Sequence, residues 1–168
     1  FSGSLVSLAT LLAFSASYRL RRLTAFVDPW ADPLNRGFQT IQSQVGFANG
    51  GILGTGLGQG RAKWGFLPEA HTDFIYAIIG EEIGLLGSVL VIGLFLAFAF
   101  YGVRTVLRAR DRFGMLLATG ITTWILIQAF VNVGACVGVL PITGVPLPFV
   151  SAGGSSLIFT MAASGILL

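Results

Sequence analysis

Ile83 to Val103 is a run of 21 residues without a charged side chain. As an α-helix it is about 31 Å long, close to the thickness of a bilayer's hydrocarbon core. It stops at Arg104, and Arg108, Arg110 and Arg112 follow, with Asp111 the one acid among them. A run of this length ended by arginines restricts the chain to the helical class of membrane protein. A membrane β-barrel would read as short segments of alternating polarity instead. Composition agrees, with 54% hydrophobic and 10% charged residues, against roughly 25% charged in a soluble domain. Mean hydropathy is +0.83.

The remaining apolar segments extend this reading to one all-α polytopic membrane domain over residues 1–168, with about four transmembrane helices. The first is expected over about 1–18. It is serine-rich (Ser2, Ser4, Ser7, Ser15, Ser17), which suits packing against other helices. The second is expected over about 76–103, the third over about 113–135 and the fourth over about 154–168. The fourth offers 14 residues from Ser155 to Leu168, fewer than the ~17 needed to span. The chain also opens inside an apolar run, so it reads as a truncated piece of a larger protein. Gln128 and Asn132 lie four apart on the third helix, as interhelical hydrogen-bond partners would. Gly134 and Gly138 form a small-xxx-small pair.

Four arginines in loop 104–112 place it in the cytoplasm. Segments 19–73 and 136–153 then face outward. In the first of these, Asp28-Pro-Trp-Ala-Asp-Pro33 is turn chemistry around an interfacial tryptophan. Leu34, Phe38, Ile41 and Val45 recur at helical spacing, which predicts an amphipathic helix on the membrane surface. Gly46 weakens that helix, and Asn49-Gly-Gly51 ends it. Gly54-Thr-Gly-Leu-Gly-Gln-Gly60 invites a phosphate-loop reading. It lacks the Gly-Lys-Ser/Thr ending and misses the G-x-G-x-x-G spacing, so a flexible turn is expected. The second outer segment is uncharged, apolar and carries Pro141, Pro146 and Pro148. Irregular backbone at membrane depth must be buried in protein or line a cavity, so it is read as a re-entrant wall of a site.

The net charge of +3 does not point to nucleic acid, because arginine at membrane edges explains the same excess. The outer segment carries Arg19, Arg21, Arg22, Arg36, Arg61 and Lys63. They fit an anionic partner or lipid headgroups. The lone Cys136 excludes an internal disulfide and a cysteine-based metal site.

Chemistry concentrates in Lys63–Glu82. That stretch holds Glu69, Asp73, Glu81 and Glu82, four of the seven acids, and the one histidine, His71. Asp73 sits where a helix N-terminus is expected, with Pro68 and Glu69 opening a turn and Thr72 as a cap. The helix dipole there favours an ionised carboxylate. A capping aspartate and a catalytic one are both consistent with that spacing. Glu81 and Glu82 follow by 8 and 9 residues, which is about 80° and 180° around the helix, so Glu81 is the better companion for Asp73. His71 fits a loop hydrogen bond, a proton shuttle or a metal ligand.

Leu67-Pro-Glu-Ala-His-Thr-Asp-Phe-Ile75, Ile79-Gly-Glu-Glu82, Asp28-Pro-Trp-Ala-Asp-Pro33 and Leu147-Pro-Phe-Val-Ser-Ala-Gly-Gly-Ser-Ser156 together resemble the SEDS family (shape, elongation, division, sporulation). The likeness is strongest to its FtsW-like division branch, with the RodA-like elongation branch as the sister reading. It covers essentially the whole chain, as the last four of ten family helices. Ala152 stands where the family usually has tyrosine, and Thr143-Gly-Val-Pro146 is nearer the elongation branch.

The resemblance implies a peptidoglycan glycosyltransferase that polymerises lipid II at the outer face of the bacterial cytoplasmic membrane, at the division septum. It implies Asp73 as general base. It implies substrate contact from Arg61, Lys63, Glu69, His71, Glu81, Ser151, Gly153, Gly154 and Ser155. The implied partners are lipid II, a class B penicillin-binding transpeptidase, other divisome membrane proteins and the lipid bilayer. The sequence requires no cofactor and leaves a divalent cation open. Two other functions fit the same residues, namely a flippase for the lipid-linked precursor and a non-catalytic scaffold for the transpeptidase.

Overall fold

The computed structural model describes residues 26, 28–31, 33, 37–60 and 73–167. The expected first membrane segment lies outside the described residues, as do Arg19, Arg21, Arg22, Leu34, Arg36, Arg61, Lys63, Pro68, Glu69, His71 and Thr72. After a short 3-10 turn at Pro29–Ala31, the described residues form five α-helices: α1 (Phe38–Gly50), α2 (Ile75–Glu82), α3 (Gly84–Arg108), α4 (Arg112–Val137) and α5 (Gly154–Ile166).

α3 and α4 form the frame. Both are long and apolar enough to cross a membrane by length and composition. They pack along each other as a hairpin, and Gly102 lets them approach, since a β-carbon there would come 2.7 Å from Thr122 Oγ1. Their outer faces leave Leu86, Leu90, Leu94, Phe100, Leu116 and Phe130 exposed, a surface suited to lipid or to further helices and not to water. The arginines sit mostly on helix rather than in loop. Arg104 and Arg108 end α3, Arg112 begins α4, and only Ala109–Asp111 is non-helical. Cations complement the C-terminal dipole of α3. Asp111 caps α4, its Oδ2 accepting from Gly114 N at 2.8 Å.

The run expected as a single helix over 76–103 is two helices. α2 ends at Glu82, and Gly84 takes φ +75°. Such a break frees carbonyls and amides that an apolar surrounding cannot hydrate. The glycine loop after α1 supplies the missing partners. Thr55 N donates to Glu81 O at 2.9 Å and Gly56 N to Glu82 O at 3.1 Å. Thr55 Oγ1 adds a bond to Glu81 O at 3.1 Å. In return Gly51 O accepts from Leu85 N at 2.9 Å, and Ile52 O from Leu86 N at 3.5 Å. The loop is therefore a docked backbone splice, where the sequence pattern had indicated a free turn.

α1 occupies the position its spacing predicts, and it runs through Gly46 to Gly50. Ile41 is buried as that pattern requires, yet Val45 is 43% exposed. The packed face is a small one: Thr40, Ser43, Gly46 and Gly50 are buried with Ile41. Gly50 meets α2 so closely that a β-carbon would stand 2.9 Å from Glu81 Cα. At Gly80 a β-carbon would run into the Phe47 ring. Phe47 and Tyr76 pack with ring centroids 5.5 Å apart. Ser43, fully buried, donates to Cys136 O at 3.0 Å and so pins α1 to the end of α4.

α4 ends at Gly138, whose φ of +81° lets Gly134 O accept from Val139 N and Leu140 N at 2.8 and 3.0 Å. Residues 138–153 then run without regular structure and turn at 147–151. There the Phe149 ring lies 5.9 Å from that of Phe98. Phe98 is 14 residues along α3 from Gly84, a depth of about 21 Å. α5 has 13 residues and is about 20 Å long. Its end, Ile166 and Leu167, lines a cavity with Thr105, Arg108 and Asp111 at the arginine-rich end of the hairpin. Irregular chain packed against α3 thus precedes this last apolar helix.

Candidate functional site

Asp73 lies at the junction of α2, α4 and the 138–153 segment. The core gathers around it: Phe74, Tyr76, Ala77, Ile78, Ala129, Cys136 and Leu147 are buried together. Asp73 itself is half-buried. It does not occupy the cap position of α2. That position is Phe74, with no side-chain capping bond, and its carbonyl accepts from Ala77 N and Ile78 N at 2.9 and 3.2 Å.

The backbone of Asp73 is held from α4. Its carbonyl accepts from Asn132 Nδ2 at 2.8 Å and, more weakly, from Cys136 Sγ at 3.6 Å. The same Asn132 Nδ2 donates to Val145 O at 2.7 Å. The Asp73 carboxylate faces the neighbouring residue of that segment: a β-carbon on Gly144 would sit 3.4 Å from Asp73 Oδ2. Gly144 has φ +75°, so the backbone turns beside the carboxylate without presenting a side chain to it.

Glu81 is 2% exposed. Its Oε2 would be 3.0 Å from a β-carbon on Gly60 and 4.0 Å from one on Gly46. It therefore faces α1 and the end of the glycine loop, while Asp73 faces Gly144. Glu82 is half-buried and also borders Gly60, its Oε1 lying 3.2 Å from a β-carbon placed there. The two glutamates thus share a wall at Gly60, apart from the contact that Asp73 makes.

Ser151 is buried, and its Oγ accepts from Leu147 N at 2.7 Å. It closes the turn in which Phe149 takes φ +64°, a costly conformation for a bulky side chain. Gly153 is the N-cap residue of α5 without a side-chain cap, and Gly154 and Ser155 open its first turn, both exposed. Of the residues expected to touch substrate, Arg61, Lys63, Glu69 and His71 lie outside the described residues.

Asn132 was expected to pair between helices; instead it holds two irregular backbone segments. Gln128, its expected companion, keeps a buried Oε1 without a hydrogen-bond partner among the described residues. Gly144 and Cys136 had no visible part in a site from sequence. The one available signal was the cost of a carboxamide in an apolar helix, which demands partners. Among the described residues no group of three or more His, Cys, Asp or Glu could hold a metal ion. Chemically, the arrangement offers a carboxylate fixed through its main chain, set against an irregular apolar segment.

The family model for FtsW, RodA and SpoVE, described as cell cycle proteins, matches residues 2–168. A probable peptidoglycan glycosyltransferase FtsW of Geobacter metallireducens is 55% identical, over 94% of this chain and 42% of its own. Stage V sporulation protein E of Bacillus subtilis is 47% identical, over 94% of this chain and 43% of its own. Among solved structures, a chain from a peptidoglycan synthase complex, studied for how polymerization and crosslinking are coordinated, superposes with a TM-score of 0.72. It is 30% identical, over 98% of this chain and 46% of that one. The chain spans about two-fifths of the length of these curated relatives. The match along nearly every residue, together with the shared polytopic helical fold, shows that this chain belongs to the FtsW/RodA/SpoVE family of SEDS membrane proteins.

Proposed function

We propose that the full-length protein polymerises lipid II into glycan strands at the outer face of the bacterial cytoplasmic membrane, with Asp73 as the general base. The observation that carries this reading is the Asp73 carboxylate, fixed through its own main chain by Asn132 and facing Gly144. The relatives named as probable peptidoglycan glycosyltransferases support it at 55% and 52% identity.

In this mechanism the 4-hydroxyl of the acceptor sugar attacks the anomeric carbon of the donor. Its proton passes to the Asp73 carboxylate as the new C–O bond forms. The bond from the anomeric carbon to the diphosphate oxygen breaks, and undecaprenyl diphosphate leaves with the electron pair. An ordinary aspartate, with a pKa near ~4, is a weak base for an alcohol, so proton transfer is concerted with bond formation. Arg61 and Lys63, next along the chain from Gly60, would stabilise the departing diphosphate. The protein would work at the division septum beside a class B penicillin-binding transpeptidase. The resemblance to a chain of a peptidoglycan synthase complex supports such a partner.

Asp73→Asn in the full-length protein tests the reading. The change keeps shape and removes the base, and such losses cost about 10²–10⁴-fold in rate. Lipid II polymerisation should fall by that factor, with the melting temperature and transpeptidase binding retained. Glycan synthesis at the wild-type rate by this variant would refute it.

A further inference from the structure

Asn132 is 2% exposed, one turn beyond Gln128 on a helix whose neighbouring residues are apolar. Both hydrogens of its amide are used, one on Asp73 O at 2.8 Å and one on Val145 O at 2.7 Å. A planar NH2 group holds two such acceptors roughly 5 Å apart. Neither acceptor belongs to a helix, so no ladder of backbone hydrogen bonds sets their separation. Cys136, one turn further on, has its Sγ 3.9 Å from Asn132 Oδ1.

The distance fixed in this way is the one next to the carboxylate. Gly144 precedes Val145, and a β-carbon on it would be 3.4 Å from Asp73 Oδ2. Moving the Val145 carbonyl relative to that of Asp73 therefore moves the wall of the site relative to the reacting oxygens.

We propose that Asn132 is a positioning residue for Asp73, its amide setting the gap between the carboxylate and the Gly144–Val145 segment. The proposal rests on Asp73 being the general base. Asn132 touches no substrate; it acts through the backbone of the residue that does the chemistry. A misplacement of about 1 Å in a reacting group costs on the order of 10²-fold in rate, so the effect belongs in kcat.

The experiment compares full-length wild type, Asn132→Ala, Asn132→Asp and Asp73→Asn in lipid II polymerisation, with folded fraction measured by thermal melt and size exclusion. The expected result is a loss of about 10–100-fold in kcat per folded molecule for both Asn132 variants. KM for lipid II should stay within about threefold, because uniform binding is untouched. Wild-type kcat per folded molecule, or a change confined to KM, would overturn the proposal. So would a loss explained entirely by a smaller folded fraction, or the failure of both variants to fold, since the residue would then be structural. Asp73→Asn separates the two levels. If it polymerises normally, the reading of Asp73 as base fails; if it is inactive while Asn132→Ala is not, only the positioning role fails.

Discussion

Replacing Gly54 with alanine would push a β-carbon into the Glu82 carbonyl, overlapping its oxygen and standing 2.5 Å from its carbon. Carbon atoms in contact prefer about 3.5–4.0 Å, so the loop must lift by roughly 1 Å. The obstacle is backbone on both sides, and no rotamer can relieve it. Lifting the loop breaks Thr55 N to Glu81 O and Gly56 N to Glu82 O, the bonds that satisfy the break between α2 and α3. The carbonyl of buried Glu81, left without its partners, costs about 1–3 kcal/mol. The φ of +81° at this residue adds about 1–2 kcal/mol for any residue with a β-carbon. The total is roughly 2–5 kcal/mol, a large share of the 5–15 kcal/mol typical of a folded protein. In a thermal melt of the full-length protein that is a fall on the order of 10 °C. Gly54→Asn sharpens the test, because asparagine tolerates positive φ but still carries the β-carbon. If close approach is the constraint, Gly54→Asn falls nearly as far as Gly54→Ala. A melt within about 2 °C of wild type for both variants would refute the splice; full recovery by asparagine alone would show that only the dihedral matters.

Gly102→Ala should lower stability by about 1–3 kcal/mol through overpacking between α3 and α4, because the new β-carbon would meet Thr122. Thr122→Ala removes a hydroxyl that is buried without a partner among the described residues and should be near neutral alone. Combined with Gly102→Ala it should restore the melt, and purely additive effects would argue against the contact. Ser151→Ala leaves the Leu147 amide unsatisfied, a loss of about 1–3 kcal/mol; an unchanged melting temperature would mean that another group takes the bond.

The membrane class and the helical fold were legible in the sequence because they follow from local quantities. Twenty-one uncharged residues and four arginines are enough to specify α3 and its end. The placement of α1 was also legible, through the spacing of Phe38, Ile41 and Val45, but its packed face was misjudged. Gly46 looked like a weakness in the helix. With Ser43 and Gly50 it is the contact surface, since small residues admit a neighbouring backbone. The role given to Asp73 came from family resemblance. Its position before the α2 cap, and the hold of Asn132 upon it, came from the structure.

What the sequence determined by itself is where apolar length, charge and turn residues fall: a polytopic helical chain with its acids gathered in Lys63–Glu82. Only the tertiary structure decided that the apolar run breaks at Gly84, that the glycine loop repairs the break, and that irregular chain packs against α3 before α5 begins. It also brought Asp73, Asn132 and Gly144 together. The physical reason is that hydropathy and periodicity record what each segment buries. They do not record which distant amide meets which carbonyl, and in an apolar surrounding that pairing is what the backbone must satisfy.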